Sequence, residues 1–475
     1  MSLRIIFTLI VISALPCLGF GQEVWSLEKC ILHALDNSLS LKQSVLSLDE
    51  ATINKHVANQ GRMPTVDGST SYNLSFGRRV DPTTNDFINR SFGNQGFSLS
   101  TGVLVFNGGR ITNQIKRADL GKQAAQLDVD QMKNDLSLEV ALAYIQILFA
   151  QENLTNAQKS YDLIQSQIEQ IDRLIAVGSR PKNARLDLVA QSAQNEQLVV
   201  SAENNVAIAY LTLKQLLQLE DTFDLVVEAP DIPVPTEYEI ETAATQSIYQ
   251  QALTWQPSIK AGELRRQNAE VGVAIARTDM IPSLSLGGSI GSNWSSSARD
   301  QIISGTQLVG QDAFLNGERV NLQFESPTFN TNKINYPDQI NQNLGYGFGI
   351  SLQVPIYNQG RQKANLDLAK LDVVRSDIAN KQVKNQLKTD VQRAVTDAKA
   401  AKKQYEAALR TAEATGAAYQ DTEKRFNLGV ANNFEFITAQ NNRDQAEVDL
   451  IIAKYDYIFK SKVLDYYQGK NITLN

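Results

Sequence analysis

The sequence predicts a mostly helical chain that carries membrane-type β-strands and is built as a tandem duplication. Three observations predict it. Two long stretches are free of proline, nearly free of glycine, and place apolar residues at three-to-four spacing. Four shorter segments alternate apolar residues with small or polar ones. The same order of features then occurs twice, at fixed offsets.

The first element is a processing segment. "MSLRIIFTLIVISALPCLGFGQ" has Arg4 in a short basic start, an apolar run from Ile5 to Leu15, and small residues at Gly19 and Gly21. That pattern predicts a secretory signal peptide over 1–21, cleaved before Gln22. Cys17 has Ala14 and Pro16 where a lipid-attachment signal carries a leucine and a small residue, which argues against an anchor. After cleavage only Cys30 remains, so no intramolecular disulfide forms. The 475 residues are 43% apolar and 20% charged with net charge −6, a folded composition. No dense basic patch stands ready for phosphates, so nucleic acid is not an expected partner. No later apolar run is long enough to span a bilayer as a helix, so entry into a membrane would be as strands.

The duplication emerges from offsets. "ALDNSLSLK" (Ala34 to Lys42) aligns with "ALTWQPSIK" (Ala252 to Lys260), and Pro64 with Pro282, both 218 residues on. "VFNGGR" aligns with "IYNQGR", and Gly178 with Gly429, both 251 residues on. The second half therefore holds 33 extra residues between Pro282 and Tyr357. The polar stretch "SNWSSSARDQIISGTQLVGQDAF" lies there and is expected to form a surface loop. The predicted halves are 22–221 and 238–475, joined by a linker over 222–237 that carries Pro230, Pro233 and Pro235.

Each half contains one very long helix, about 108–177 and about 358–428. Their interiors contain only Gly121 and Gly416 as glycines and are rich in good helix formers. Such a helix is about 100 Å long at ~1.5 Å per residue. Its polar faces suit a bundle or coiled coil rather than a globular core. Each ends at a glycine, Gly178 or Gly429, suited to the left-handed turn past a helix end. A return helix follows, about 185–218 and about 434–468, so each half holds an antiparallel helical hairpin.

The strands are expected at about 65–77, 96–107, 283–293 and 345–356. In "TVDGSTSYNLSF" one parity carries Val66, Tyr72, Leu74 and Phe76, and the other Ser69, Ser71, Asn73 and Ser75. "GYGFGISLQV" sets Tyr346, Phe348, Ile350, Leu352 and Val354 against glycine, serine and glutamine. A soluble sheet shows charge on its wet face; here Asp67 is the lone charge. Aromatic residues fall near strand ends, where interfacial girdles lie. Four strands do not close a membrane barrel, and an open edge in lipid leaves backbone groups unpaired. Several chains must contribute: two give eight strands and three give twelve. The same operation wraps the helices into a tube.

Enzyme readings fail. "GGSIG" (Gly287 to Gly291) fits a nucleophile-elbow pattern, but Ser289 sits inside an alternating strand, and both histidines, His33 and His56, lie upstream. Those histidines, 23 residues apart without partner cysteines, do not read as a metal site. No phosphate-cradling Gly-x4-Gly-Lys-Ser/Thr loop occurs.

The near-N-terminal "SLEKCILHALDNSLSLK", the twice-used proline–strand–loop–strand–[NQ]G-R passage, and the tips "VGS…LDLVAQ" and "LGVANNFEFITAQ" together resemble the TolC-type outer membrane efflux proteins. The resemblance covers essentially the whole mature chain. It implies a homotrimer with a 12-stranded barrel in outer-membrane lipid, continuous with an α-helical barrel crossing the periplasm. It implies two partners, a periplasmic adaptor of the membrane-fusion type and an inner-membrane transporter of the RND or ABC type. It implies no cofactor and no reaction. It places a periplasmic constriction just past the second turn, at Glu435, with Thr438 where relatives carry a second carboxylate. Ala431 and Phe426 stand where some members carry a latch arginine and tyrosine. Gly178, Ser179, Arg185, Asp187, Gly429, Val430 and Phe426 itself are the corresponding tip and adaptor-contact candidates, with Ser179 to Lys182 lengthening the first turn by two residues. The competing reading is a periplasmic coiled-coil adaptor or scaffold, which carries one helical hairpin rather than two.

Overall fold

The computed structural model describes residues 24–80, 87–89, 91–179, 181–229, 245–315 and 317–470. The expected signal segment and the linker prolines Pro230, Pro233 and Pro235 lie outside the described residues.

The duplication reappears in element lengths. Helices α1 (Leu27–Asn37) and α2 (Leu39–Gln60) have 11 and 22 residues, as do their counterparts α5 (Thr245–Trp255) and α6 (Pro257–Thr278). Helices α3 (Arg110–Ala176) and α8 (Arg361–Asn427) each have 67 residues, and run uninterrupted through Gly121 and Gly416. The return helices α4 (Ala184–Leu217) and α9 (Asn433–Tyr467) have 34 and 35. Among the described residues no helix is long and apolar enough to cross a membrane.

The chain divides into two compact units. The first (1–52, 120–267 and 374–475) holds the helical hairpins. Its larger core packs Leu27, Cys30 and Ala34 of α1 against Val140, Tyr144 and Ile147 of α3 and Leu213 and Leu217 of α4. Tyr144 is fully buried, and its hydroxyl lies 3.1 Å from the Trp25 carbonyl and 2.6 Å from the Glu228 carbonyl. It thereby ties together β1 (Val24–Trp25) and β6 (Val226–Val227), a short parallel pair. The second core repeats the theme: Ile248 and Ala252 of α5 meet Val391, Val395 and Ala398 of α8 and Tyr457 and Leu464 of α9. Full burial of each large apolar side chain contributes about 1.5–3 kcal/mol. The alanines let helix backbones approach closely.

The second unit (53–119 and 268–373) is built on a four-stranded antiparallel sheet in the order β10-β7-β5-β2. Its strands are β2 (Thr65–Ser75), β5 (Phe92–Phe106), β7 (Ser283–Ser295) and β10 (Gly345–Gln353). Register lines up like with like. Leu99, Ile290 and Tyr346 stand opposite one another in one row, and Val103, Leu286 and Ile350 two rows on, with Thr101, Gly288 and Phe348 between them. The other face is serine and glycine: Ser100, Ser289 and Gly347 form a row, and the Ser69 and Ser98 hydroxyls bond at 2.7 Å. Strand β5 starts four residues earlier than its alternation suggests, because Phe92 to Gln95 pair with Ser75 to Tyr72 although their own pattern is broken by Gly93 and Asn94.

The expected surface loop in the second half is instead an ordered β-hairpin. Strands β8 (Arg299–Leu315) and β9 (Glu318–Lys333) have 17 and 16 residues and pair antiparallel along their whole length, with a bulge between Ile303 and Gly305. Polar side chains stand among its apolar ones on both strands, which hid the alternation. A smaller excursion at the same end of the sheet forms β3 (Arg78–Val80) and β4 (Phe87–Asn89). A short helix, α7 (Tyr336–Gln342), follows the long hairpin.

Candidate functional site

The first candidate region is the pair of helical-hairpin tips in the helical unit. Both long helices end the same way. Gly178 (φ +74°) and Gly429 (φ +77°) take the left-handed conformation that L side chains resist. At the first tip Ser179 N–H donates to the Leu174 carbonyl (2.9 Å) and Gly178 N–H to Ile175 (3.0 Å). At the second, Val430 N–H donates to Arg425 (2.8 Å) and Gly429 N–H to Phe426 (2.9 Å). These crossed bonds satisfy the last helical carbonyls in a Schellman closure.

The two tips differ in how the return helix starts. Asn432 caps α9: its Oδ1 accepts from Glu435 N–H at 2.9 Å, and its Nδ2 donates to Glu435 Oε1 at 2.7 Å. This is a reciprocal capping arrangement. Asn183, at the corresponding place in the longer first turn, makes no side-chain cap bond. There the closure is ionic: Arg185 Nε lies 2.9 and 3.2 Å from the two carboxylate oxygens of Asp172 on α3. Asp187 lies exposed in the first turn of α4, where the positive end of the helix dipole favours a carboxylate.

Glu435 is thus engaged by its own cap and by Arg425, 3.5 Å away across the turn. It remains nearly half exposed, and Thr438 lies exposed one turn along the same face of α9. Phe426 does more than lack a hydroxyl. Its ring stacks on Phe436 with centroids 4.6 Å apart and planes 17° from parallel. Phe436 in turn meets Tyr419, whose ring carries the Arg443 guanidinium at 4.3 Å. Arg443 Nε donates to Asp444 at 2.9 Å, and Tyr419 Oη donates to Glu423 at 3.0 Å. Burial, then the bond to Glu423, pushes the Tyr419 hydroxyl up to about 12. Tyr419, Phe436 and Arg443 were missed from sequence; the signal was Tyr419 two helical turns before Phe426, with Phe436 just past the turn. Outward from these clasps the tips present bare apolar side chains: Val177, Leu186, Leu428, Val430 and Phe434 are all strongly exposed.

The second candidate region is the sheet. Its apolar rows face outward uncovered: Tyr346, Phe348, Ile350 and Leu352 on β10, and Val66, Tyr72 and Leu74 on β2, all more than half exposed. No strand among the described residues pairs with the outer edge of β10 or of β2. No group of three or more His, Cys, Asp or Glu among the described residues is placed to hold a metal ion.

A duplicated protomer with lipid-type strands and paired helical hairpins is the class that this geometry defines. The family model for outer membrane efflux proteins matches residues 31–218 and 248–465, one segment in each half, and the chain belongs to that family. It is an outer-membrane efflux channel protein. Similar curated proteins include toxin and drug export protein A of Aggregatibacter actinomycetemcomitans, 22% identical over 91% of this chain and 83% of that one. Outer membrane protein OprJ of Pseudomonas aeruginosa is 24% identical over 90% and 80%. Among solved structures, the outer membrane protein VceC of Vibrio cholerae superposes with TM-score 0.72 at 14% identity, covering 94% of this chain and 96% of that one.

Proposed function

We propose that three copies of this chain form one exit duct, in which twelve strands close a barrel in the outer membrane and the helical hairpins close a tube in the periplasm. The observation that carries this reading is the four-stranded sheet with two open edges and an uncovered apolar face. In lipid an open edge leaves a row of backbone groups unpaired, each at a cost of several kcal/mol, so β10 of one copy pairs with β2 of the next. Ring closure by a heterologous contact needs no second chain type.

The duct is passive, takes no cofactor, and draws its energy from partners. A periplasmic adaptor docks on the exposed apolar tips around Gly178, Ser179, Gly429 and Val430, with Arg185 and Asp187 at their polar rim. An inner-membrane transporter of the RND or ABC type delivers the substrate. Glu435 and Thr438 face the lumen near its periplasmic mouth, where three Glu435 carboxylates form a ring that attracts cations. Opening re-aligns the hairpins between two packings, and the adaptor favours the open one.

Fractionation and electrophoresis test the assembly. The chain is expected in the outer membrane, running as an oligomer that heat dissociates. A water-soluble monomer without detergent overturns the duct, and an inner-membrane or soluble periplasmic chain favours the adaptor reading. Planar-bilayer conductance tests the ring: Glu435→Ala alters conductance or cation block, and no change removes Glu435 from the lumen.

A further inference from the structure

The β8–β9 hairpin is the largest feature that the duct does not use. Relative to the first half it is the extra segment, and it leaves the sheet between β7 and the edge strand β10. At ~3.4 Å per residue its strands extend about 50 Å. Its base is built rather than loose. Gln339 of α7 is 1% exposed; its Oε1 accepts from Ser295 N–H (2.8 Å) and its Nε2 donates to the Ile334 carbonyl (2.9 Å). Ile334 N–H donates to the Ala298 carbonyl, and Asn343 Nδ2 to that of Asn293. These bonds fix the direction in which the hairpin leaves the sheet.

Both faces of the hairpin carry exposed apolar side chains, and one of them also carries Asp312, Arg319 and Glu325. Above the bulge, register puts Val309 opposite Phe324 and Ala313 opposite Val320, with Leu322 on the same side. The bulge adds one residue to β8, so the pair Ile303 and Phe329 falls on the other side, together with Leu308. Leu322, Phe324, Ile303, Leu308 and Phe329 are each about half exposed or more. A membrane surface or a single docked protein covers one face of a two-stranded ribbon. Two covered faces require neighbours on two sides, which is what a closed ring of identical chains supplies to every member.

Position agrees. The hairpin leaves from the β10 side of the sheet, and the β3–β4 excursion leaves from the β5–β2 side at the same end. Across a β10-to-β2 seam the hairpin of one copy therefore stands beside the excursion of the next. That excursion exposes Phe76, Val80 and Phe87. Resting on the ring of copies proposed above, we infer that the β8–β9 hairpin is an inter-subunit contact, packing the apolar side chains of its two faces on the two neighbouring copies at the rim of the barrel.

A photo-crosslinking amino acid at Leu322, and separately at Ile303, tests this in intact cells, with unboiled samples of each variant run alongside. Both positions are surface side chains, so neither change threatens folding. Illumination is expected to give adducts of two and three chains at both positions, with peptides of this chain alone in the mass spectrum. An adduct with lipopolysaccharide, an adduct with another protein, or no adduct while the unboiled oligomer persists overturns the hairpin contact and leaves the trimer standing. Absence of the unboiled oligomer as well sinks both.

Discussion

Phe426 and Phe436 stack across the second helical turn, 4.6 Å apart and nearly parallel, and so bind the last turn of α8 to the first turn of α9. Phe436 is 4% exposed, so the pair closes the tip from inside. Removing Phe436 removes both the stack and its contact with Tyr419. Phe436→Ala is expected to cost about 3 kcal/mol or more, as for other buried phenylalanines. Phe426→Tyr, at the half-buried partner, keeps the stack and is expected to be near neutral. Thermal melting of the detergent-solubilised protein, with tryptic cleavage at Arg425 as the local readout, separates the two.

The Asn432–Glu435 pair makes two roles of Glu435 separable. Asn432→Ala loses the cap and is expected to cost about 1 kcal/mol without changing the charge at Glu435. Glu435→Gln keeps the backbone donor of the cap but ends the ion pair with Arg425, an exposed contact worth less than about 1 kcal/mol. Stability is therefore expected to fall more in Asn432→Ala, and cation block to change more in Glu435→Gln. Denaturant melting together with single-channel recording checks both orders.

The parts of the fold that were legible from sequence are those punctuated by chemistry. Gly178 and Gly429 mark helix ends because only glycine takes their backbone without strain, and the serine–glycine parity of β7 and β10 marks strands without charge. The β8–β9 hairpin was not legible, since Asp312, Arg319 and Glu325 break the contrast between faces and no other strand among the described residues pairs with it. At the tips the position of Glu435 was readable, but its engagement by Asn432 and Arg425 was not. The Tyr419–Arg443 contact depends on how α8 and α9 cross, a property that spacing within one helix does not contain.

Alkali is expected to loosen the helical unit through buried tyrosines. Burial first, then the Glu423 bond, pushes Tyr419 up to about 12; burial first, then the nearby Asp390 charge, pushes Tyr467 to about 12. Both start from an ordinary value of 10.0. The folded chain thus holds these protons where the unfolded chain releases them. The stability they contribute is whole below pH 10.0 and is lost as pH rises toward about 12. Phenolate absorbance is expected to show a late-titrating class that moves to the ordinary value in denaturant, and Tyr419→Phe is expected to flatten part of the alkaline loss.

The seam between the two hairpins carries a polar pair that is only half satisfied. Gln167 Nε2 on α3 donates to Gln440 Oε1 on α9 at 3.2 Å, while Gln167 Oε1 and Gln440 Nε2 are buried with no hydrogen-bond partner among the described residues. Gln440 is 1% exposed. A buried polar atom left unpaired costs about 1–3 kcal/mol, whereas replacing both partners by apolar groups is close to neutral or stabilising. Gln440→Leu alone strands all of Gln167 and is expected to destabilise by about 1–2 kcal/mol. The double variant Gln167→Leu with Gln440→Leu is expected to melt at or above the wild-type temperature, giving a coupling that a double-mutant cycle reads directly. A seam that is weak by design also predicts a functional cost: the double variant holds the hairpins together more firmly and is expected to open less often in planar bilayers. Equal opening in the stabilised variant places the moving contacts elsewhere than this seam.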